Sequence, residues 1–426
     1  MKLVKHYILL LTVLLMSVVT AQAQETDSVS EFASQRPTLR ISVLTCTAAE
    51  DLYAKFGHTA LRVKDEASAN DWVFNYGCFN YHAESFVWKF ILGQTDYLLE
   101  AEQFEYFMYR YRKMGVGVTE QVLNLTPEET QRLWEMLAIN IAPQNQEYRY
   151  KWIGNNCTNK VQYLREDLKK EEGGQVVYAA DELEGKTIRD LLHEKLEKSP
   201  WASFGIDMIL GQEIDRAVKG DTLPGYQQRR RMFLPSVYMC TIDHAMLEDA
   251  EGERKMFVTE KMDLLVPTFV DEASTVVTPL IAFVILLLVV AGISILDYRK
   301  GMISIWLDML LAALQGLSGI LVAFLFFFSE HPGVDSNWLV CVFNPIPLFY
   351  AVWLYVCETK KKENKLAWAN VAVLAVFILT MWLCPQSFNP AMYVVALALL
   401  VRAIAYMILT RKLRCNEQNG QATNKA

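Results

Sequence analysis

Hydrophobic positions divide the chain into two unlike halves. From residue 276 onward five long apolar runs follow one another, at about 276–296, 303–328, 338–356, 366–384 and 391–409. Each is near the length that crosses a hydrocarbon core as a helix. Before residue 276, short alternating runs and stretches of helical period are separated by polar turns, which predicts an α+β domain with a small antiparallel sheet. Residues 38–46 read as a strand and 56–63 as a second, with Thr59, Leu61 and Val63 on one face and His58, Ala60 and Arg62 on the other. Residues 72–77 read as a third strand, which carries Asn75 and pairs with the second. Phe104, Phe107, Met108 and Tyr111 recur at helical spacing within 102–114, and 116–125 reads as a strand. Thr126-Pro127-Glu128-Glu129 combines a capping box with proline at the first helical position, so a helix starts there and runs to about residue 140. Residues 148–153 read as a short strand, and 187–197 and 200–210 as short helices.

The stretch Gly154-Asn155-Asn156-Cys157-Thr158-Asn159-Lys160 joins the short strand to a helix on which Val161, Leu164 and Leu168 recur, with Arg165 and Glu166 elsewhere on the wheel. Asn156 suits an N-cap, which makes Cys157 the first helical residue. A thiol there feels unpaired N–H groups and the positive end of the helix dipole, and both favour the thiolate. The competing reading is a small, buried, inert cysteine. A thiolate nucleophile needs a base. The histidines ahead of the apolar half, outside the leader, are His58, His82, His193 and His244. Of these, His58 opens a patterned strand behind Gly57. His193 sits inside a helix beside Leu191 and Leu192, and His82 and His244 have no pattern around them.

Composition narrows the function classes. The net charge of -7 over 426 residues gives no basic footprint for nucleic acid. The eight cysteines include no CxxC pair, so neither a zinc site nor a redox dithiol is indicated, and no metal or cofactor is implied. With Cys157 as a working thiol, at most one disulfide forms among Cys46, Cys78 and Cys240, and the pair stays open. Lys2 and Lys5, the apolar run 7–19 and Ala21-Gln22-Ala23 read as a cleaved secretory signal at 1–23, with an uncleaved anchor as the alternative. That leaves an exported periplasmic domain at 24–275, a transmembrane domain at 276–410 and a cytoplasmic tail at 411–426. Loops 297–300, 359–365 and 411–414 are basic, whereas 330–335 is acidic and 385–390 uncharged. The positive-inside rule therefore puts the N-terminal domain in the periplasm and the C-terminus in the cytoplasm of an inner-membrane protein. No long charged run interrupts the apolar segments, so a transport path is not indicated, and the bundle reads as an anchor and a wall of a lipid-facing site.

A histidine at the head of a strand, followed by Asn-Cys opening a helix, resembles circularly permuted papain-like (NlpC-type) enzymes. The lecithin:retinol acyltransferase relatives share this order. More closely, Tyr53-Ala54-Lys55-Phe56-Gly57-His58-Thr59-Ala60-Leu61-Arg62-Val63, Phe74-Asn75-Tyr76-Gly77, Asn155-Asn156-Cys157-Thr158 and Met232-Phe233-Leu234-Pro235 resemble the Lnb family of bacterial lipoprotein N-acyltransferases. The motifs cover most of 38–240 discontinuously, and the membrane half is similar by architecture only. The resemblance implies an α+β permuted papain-like exported domain followed by a bundle of about five transmembrane α-helices.

It also implies a thiol acyltransferase. His58 would accept the proton of Cys157, and the thiolate would take a fatty acyl chain from a membrane phospholipid as a thioester. The α-amino group of a lipoprotein's N-terminal diacylglyceryl-cysteine would then receive the chain. The oxyanion donor is the Cys157 N–H, with Tyr53 as a second candidate. Asn75 is the candidate for orienting His58, a satisfied strand-edge asparagine being the alternative. Arg229, Arg230 and Arg231 are candidates for holding phospholipid head groups, or else form a solvated loop. The alternating aromatics Phe86, Trp88 and Phe90 read as core or membrane contact rather than an acyl pocket. The cleft should face the outer leaflet. Two other classes stay open: a membrane-anchored papain-like peptidase or amidase acting on cell-wall peptide, and a non-catalytic envelope sensor or assembly factor.

Overall fold

The computed structural model describes residues 39–50, 54–79, 84–178, 185–216, 232–269, 275–359 and 365–423. The signal expected at 1–23, Tyr53, His82 and Arg229 to Arg231 lie outside the described residues. Packing divides the chain into two units. One takes Met1–Glu84, Thr95–Glu182 and Leu223–Val270, and the other takes Ser85–Gln94, Leu183–Thr222 and Asp271–Ala426. Two stretches ahead of residue 275 thus pack with the helical unit rather than with the sheet.

The first unit is built on strands β1 (Leu39–Cys46), β2 (His58–Asp65), β3 (Asp71–Cys78), β4 (Asp96–Gln103), β5 (Val118–Leu123), β6 (Glu147–Arg149), β7 (Gln175–Val177), β8 (Met246–Glu248), β9 (Arg254–Met256) and β10 (Val258–Leu265). Seven of them form one antiparallel sheet in the order β10-β5-β1-β2-β3-β4-β6, and β7-β8-β9 form a separate small one. The first three strands fall where alternation predicts them. The sequence reading did not include β4 or β10.

Register settles which side chains share a face. Leu61 pairs with Phe74 and Arg62 with Val73, so His58, Ala60 and Arg62 lie on the same face as Val73 and Asn75. On this face Leu44, Cys46, Ala60, Val73 and Val118 form a core with Phe107 of the helix Phe104–Lys113. Arg62 crosses that face. Its guanidinium donates to Asp71 on β3 at 2.6 and 2.8 Å and to Glu120 on β5 at 3.1 Å, and lies 3.5 Å from the Phe104 ring centroid. It passes over Ser42, its partner on β1, whose small side chain leaves room.

The opposite face carries two helices. In Pro127–Ile141, the Thr126 hydroxyl accepts the Glu129 N–H at 3.1 Å and the Glu129 carboxylate accepts the Thr126 N–H at 2.8 Å, the capping box that the sequence spells out. Trp134 of this helix meets the Phe74 ring edge-on at 5.9 Å. The second helix, Cys157–Glu171, is tied to β2 by Thr158 and Thr59, whose hydroxyls lie 3.0 Å apart. This helix is buried well beyond its apolar stripe: Arg165, Glu166 and Lys169 are buried as well. Arg165 lies 3.5 Å from the Glu129 carboxylate, and Glu166 accepts from Gln162 and from the Tyr178 hydroxyl at 2.9 Å each.

In the second unit, four helices among the described residues are long and apolar enough to cross a membrane: Pro279–Lys300, Ile305–Phe328, Leu366–Leu383 and Pro390–Asn416. The run at 338–356 is not one continuous helix. A 3-10 turn at Trp338–Cys341 is followed by the helix Ile346–Thr359, of 14 residues. Pro345 and Pro347 cannot donate the backbone bonds that would carry a helix through. Asn344 starts the new helix instead, its side chain accepting the Ile346 N–H at 3.1 Å. The aromatic FVWKF stretch is likewise a helix, Phe86–Leu92, with Phe86 buried and the Trp88 ring 5.1 Å from Phe324.

Two buried charge clusters hold this unit. Arg402, deep in an apolar run, donates to Asp308 at 2.7 and 2.8 Å, to Asp297 at 2.9 Å and to the Ser294 hydroxyl at 3.2 Å, joining three of the long helices. Arg189, on the short helix Ile188–Leu196, donates to Asp207 at 2.7 Å, to Asp215 at 2.7 and 3.0 Å and to the carbonyls of Leu210 and Gly211. Asn389 and His193 also bond Asp207, at 3.0 and 2.9 Å.

Removing one partner of a buried ion cluster strands the others. Arg402→Leu should therefore lower stability by about 3–5 kcal/mol, read as a lower apparent Tm of the detergent-solubilised chain. Replacing Arg402, Asp297 and Asp308 together by leucine should recover most of that loss. An Arg402→Leu protein as thermostable as the parent would contradict the role given to the cluster.

Candidate active site

Each residue of the Gly154–Asn159 stretch has a local task. Asn156 is the N-cap: its side-chain oxygen accepts the Asn159 N–H at 2.9 Å, and Cys157 is the first helical residue. The Asn156 amide donates to the carbonyls of Trp152 at 3.0 Å and Phe233 at 2.8 Å. Asn155 donates to the Arg149 carbonyl at 2.6 Å. The Asn159 side chain accepts the Gly154 N–H at 2.9 Å. The turn is thus closed on itself before the helix begins. Met232, Phe233 and Leu234 are all buried, and through the Phe233 carbonyl the Met-Phe-Leu-Pro motif serves as the outer anchor of the cysteine's N-cap.

His58 is the first residue of β2, opposite Cys46 of β1. Its Nε2 lies 3.1 Å from the Asn75 side-chain oxygen, which leaves Nδ1 for the hydrogen bond that His58 makes with Cys157. The Asn75 amide in turn donates to Glu102 at 3.0 Å, and Glu102 pairs with Arg110. A chain of contacts therefore runs Cys157, His58, Asn75, Glu102, Arg110. Asn75 accepts through its oxygen because its nitrogen is committed to the carboxylate, and this fixes the Nε2–H tautomer of a neutral ring.

Burial opposes charge at both ends of the central pair. For Cys157 it favours the neutral thiol, but the charge and hydrogen bond of His58, then the Thr59 N–H and the Thr158 hydroxyl, outweigh it and lower the pKa below the ordinary value. For His58 burial again disfavours the ion, and Cys157 followed by Asn75 outweighs it, so its pKa is raised. The two shifts point the same way: each group favours the charged form of the other, which draws the proton from the thiol toward the imidazole. Neighbouring thiols behave oppositely. Burial pushes the Cys46 pKa up, and burial followed by Glu100 pushes Cys78 up to about 12. Cys46, Cys78 and Cys157 carry free thiols.

Space for the thiol comes from Gly77, at a bulge between β3 and β4 with φ +94°. A Cβ there would lie 3.5 Å from the Cys157 Cβ, and the backbone sits in the left-handed region that favours glycine. As the first helical residue, Cys157 has no intrahelical acceptor for its own N–H, which remains able to donate to a substrate oxygen.

The structure thus brings Cys157, His58 and Asn75 together. It places His193 elsewhere, in the Arg189 cluster. Sequence reasoning missed Glu102 because it lies on β4, and Arg110 because its helix, though legible from its period, carries no sign of the partner. The signal for β4 was there, since Tyr97 and Leu99 alternate with more exposed residues.

The pair sets a pH dependence. A thiolate is present above the thiol's pKa, so Cys157 should alkylate with iodoacetamide well below pH 9. His58→Ala leaves burial dominant and raises the thiol pKa. Once the raised pKa lies above the working pH, each further unit removes about nine-tenths of the thiolate, so alkylation at pH 7 should fall on the order of tenfold or more and recover as pH rises. Asn75→Ala should shift the profile the same way by less. Peptide mapping of the label on Cys157 as a function of pH checks this, and an unshifted profile in His58→Ala would refute the pair.

A family model described as the Lnb N-terminal periplasmic domain matches residues 28–192, and one described as the Lnb transmembrane domain matches residues 271–414. No curated protein and no solved structure matches the chain. The two matches take in strands β1 to β7, with Cys157, His58 and Asn75, and the whole run of apolar helices, while β8 to β10 lie between them. The chain belongs to the Lnb family and is a membrane protein with a periplasmic N-terminal domain.

Proposed function

We propose that the protein is a lipoprotein N-acyltransferase of the bacterial inner membrane, with its C-terminus in the cytoplasm. The observation that carries this reading is the part-buried Cys157–His58–Asn75 arrangement in a chain that also supplies a membrane bundle. A hydrolase needs only one anchor to stay at a membrane. Several spanning helices suit a substrate that is itself lipid.

The chemistry has two halves. The Cys157 thiolate attacks an ester carbonyl of a phospholipid, and a tetrahedral oxyanion forms opposite the Cys157 N–H. Collapse breaks the ester C–O bond, His58 gives its proton to the departing alkoxide, and a thioester and a lysophospholipid result. The α-amine of a diacylglyceryl-cysteine then attacks the thioester. His58 takes the amine proton, the amide forms and the thiolate leaves. A thioester keeps enough activation to acylate an amine without a nucleotide. Water must be kept from it in the interval, and the partial burial of Cys157 favours that. Arg229, Arg230 and Arg231 are proposed on sequence alone to meet phospholipid head groups, and the cleft is proposed to face the outer leaflet.

The test is expression in a bacterium whose own lipoprotein N-acylation is absent, with lipoprotein N-termini read by mass spectrometry. A third acyl chain should appear, and Cys157→Ser and His58→Ala should abolish it. A third chain that persists with Cys157→Ser would overturn the mechanism. Release of cell-wall peptides without a third chain would mark a peptidase instead.

A further inference from the structure

Tyr148 lies on β6, paired with Tyr97 of β4, a few residues ahead of the Cys157 turn. Its ring meets Tyr76 edge-on at 6.0 Å, and the Lys160 ammonium sits 4.4 Å from its centroid. Its hydroxyl is buried and has no hydrogen-bond partner among the described residues. A buried phenol without a partner bears a desolvation penalty, which is uncommon in a finished core. The position of this one gives the reason. The Cβ that Gly77 lacks would lie 3.5 Å from the Cys157 Cβ and 3.9 Å from the Tyr148 oxygen. The nucleophile and the unpartnered hydroxyl therefore border the same space, which glycine keeps open.

We propose that Tyr148 is a catalytic residue, its hydroxyl donating to the oxyanion that forms when Cys157 attacks an acyl carbonyl. This rests on Cys157 being the acyl-carrying nucleophile. The S–C bond forms as the carbonyl π electrons move to oxygen. Tyr148 and the Cys157 N–H then each donate a hydrogen bond to that oxygen, and Tyr148 keeps its proton throughout. When the C=O bond re-forms, the ester C–O bond breaks and His58 supplies the proton to the leaving oxygen. Burial, and after it Cys157, hold the Tyr148 pKa well above the usual phenol value, so the group is a donor at neutral pH. Lys160 over the ring polarises it without accepting the proton.

Tyr148→Phe removes the hydroxyl and keeps the ring, so packing against Tyr76 and Lys160 survives. Two reactions of Cys157 in the detergent-solubilised full chain separate a donor from a structural residue. Alkylation by iodoacetamide passes through no oxyanion, and its rate and pH profile should match the parent's. Acylation by p-nitrophenyl butyrate, followed as the burst of nitrophenolate, should slow on the order of a hundredfold or more. A burst rate within threefold of the parent's would overturn the proposal, as would a fall of both reactions in parallel. Lipid transfer is read separately, with a phospholipid bearing an alkyne-tagged acyl chain and a diacylated lipopeptide acceptor. A parent protein that gives the ester burst but no lipid transfer would overturn the lipoprotein reading while leaving the Tyr148 comparison valid.

Discussion

The coupling between Cys157 and His58 is the interaction on which the candidate site turns, because burial works against the charged form of each and only the other offsets it. Cys46, across the ladder from His58, shows what burial does to a thiol without an ionic partner: it stays neutral. The pair holds only if the imidazole and the helix start cannot drift. His58 is gripped through Asn75 by Glu102 and Arg110, which reach it from the next strand and the following helix. Cys157 is gripped through Asn156, which is tied to Trp152 and Phe233 as well as capping its own helix. The helix behind it is buried even at Arg165, Glu166 and Lys169, so its N-terminus cannot swing.

Much of this was legible in the sequence, and the reasons differ by residue. Asn156 and Thr126 announce helix starts through side-chain chemistry that acts within four residues, so no tertiary information was needed. His58 and Asn75 could be placed on neighbouring strands, but their common face depends on register, which alternation leaves open. Glu102 was hidden because β4 runs into the helix Phe104–Lys113 with no glycine or proline between them, and the helical period swallowed the strand's last residues. Arg165 and Glu166 fall off the apolar stripe of the wheel, which says nothing of what covers them. Their partners Glu129 and Tyr178 come from elsewhere in the chain. Tyr148 gave no signal at all, since an unpaired hydroxyl is a property of the packed state.

In the helical unit, hydropathy located the apolar runs and missed how they are held. Arg402 in an apolar run is affordable because Asp297, Asp308 and Ser294 meet it on facing helices. The broken segment at 338–346 obeys the same rule for backbone. Irregular chain among apolar helices needs protein partners for its backbone groups. Gly319 allows that cover, since a Cβ there would fall 2.3 Å from the Asn344 carbonyl. Gln315 then donates to the Val342 carbonyl at 2.9 Å, satisfying an acceptor that an unbroken helix would have used internally.

The interleaving of the two units has a consequence for biogenesis. Reading from the N-terminus, the chain passes between them five times. The stretch carrying Arg189 and Asp207 is synthesised well before Asn337, Gln386 and Asn389, which bond Met208, Leu210 and Asp207 in the finished fold. During translation that stretch must wait in the periplasm, half assembled, until the last apolar helices have been inserted. The outermost strand, β10, arrives only just before the first of those helices, so the sheet is complete at the moment insertion begins. Only the stretch carrying Arg189 and Asp207 thus depends on later segments, and a chain cut between the halves would leave it without Asn337, Gln386 and Asn389.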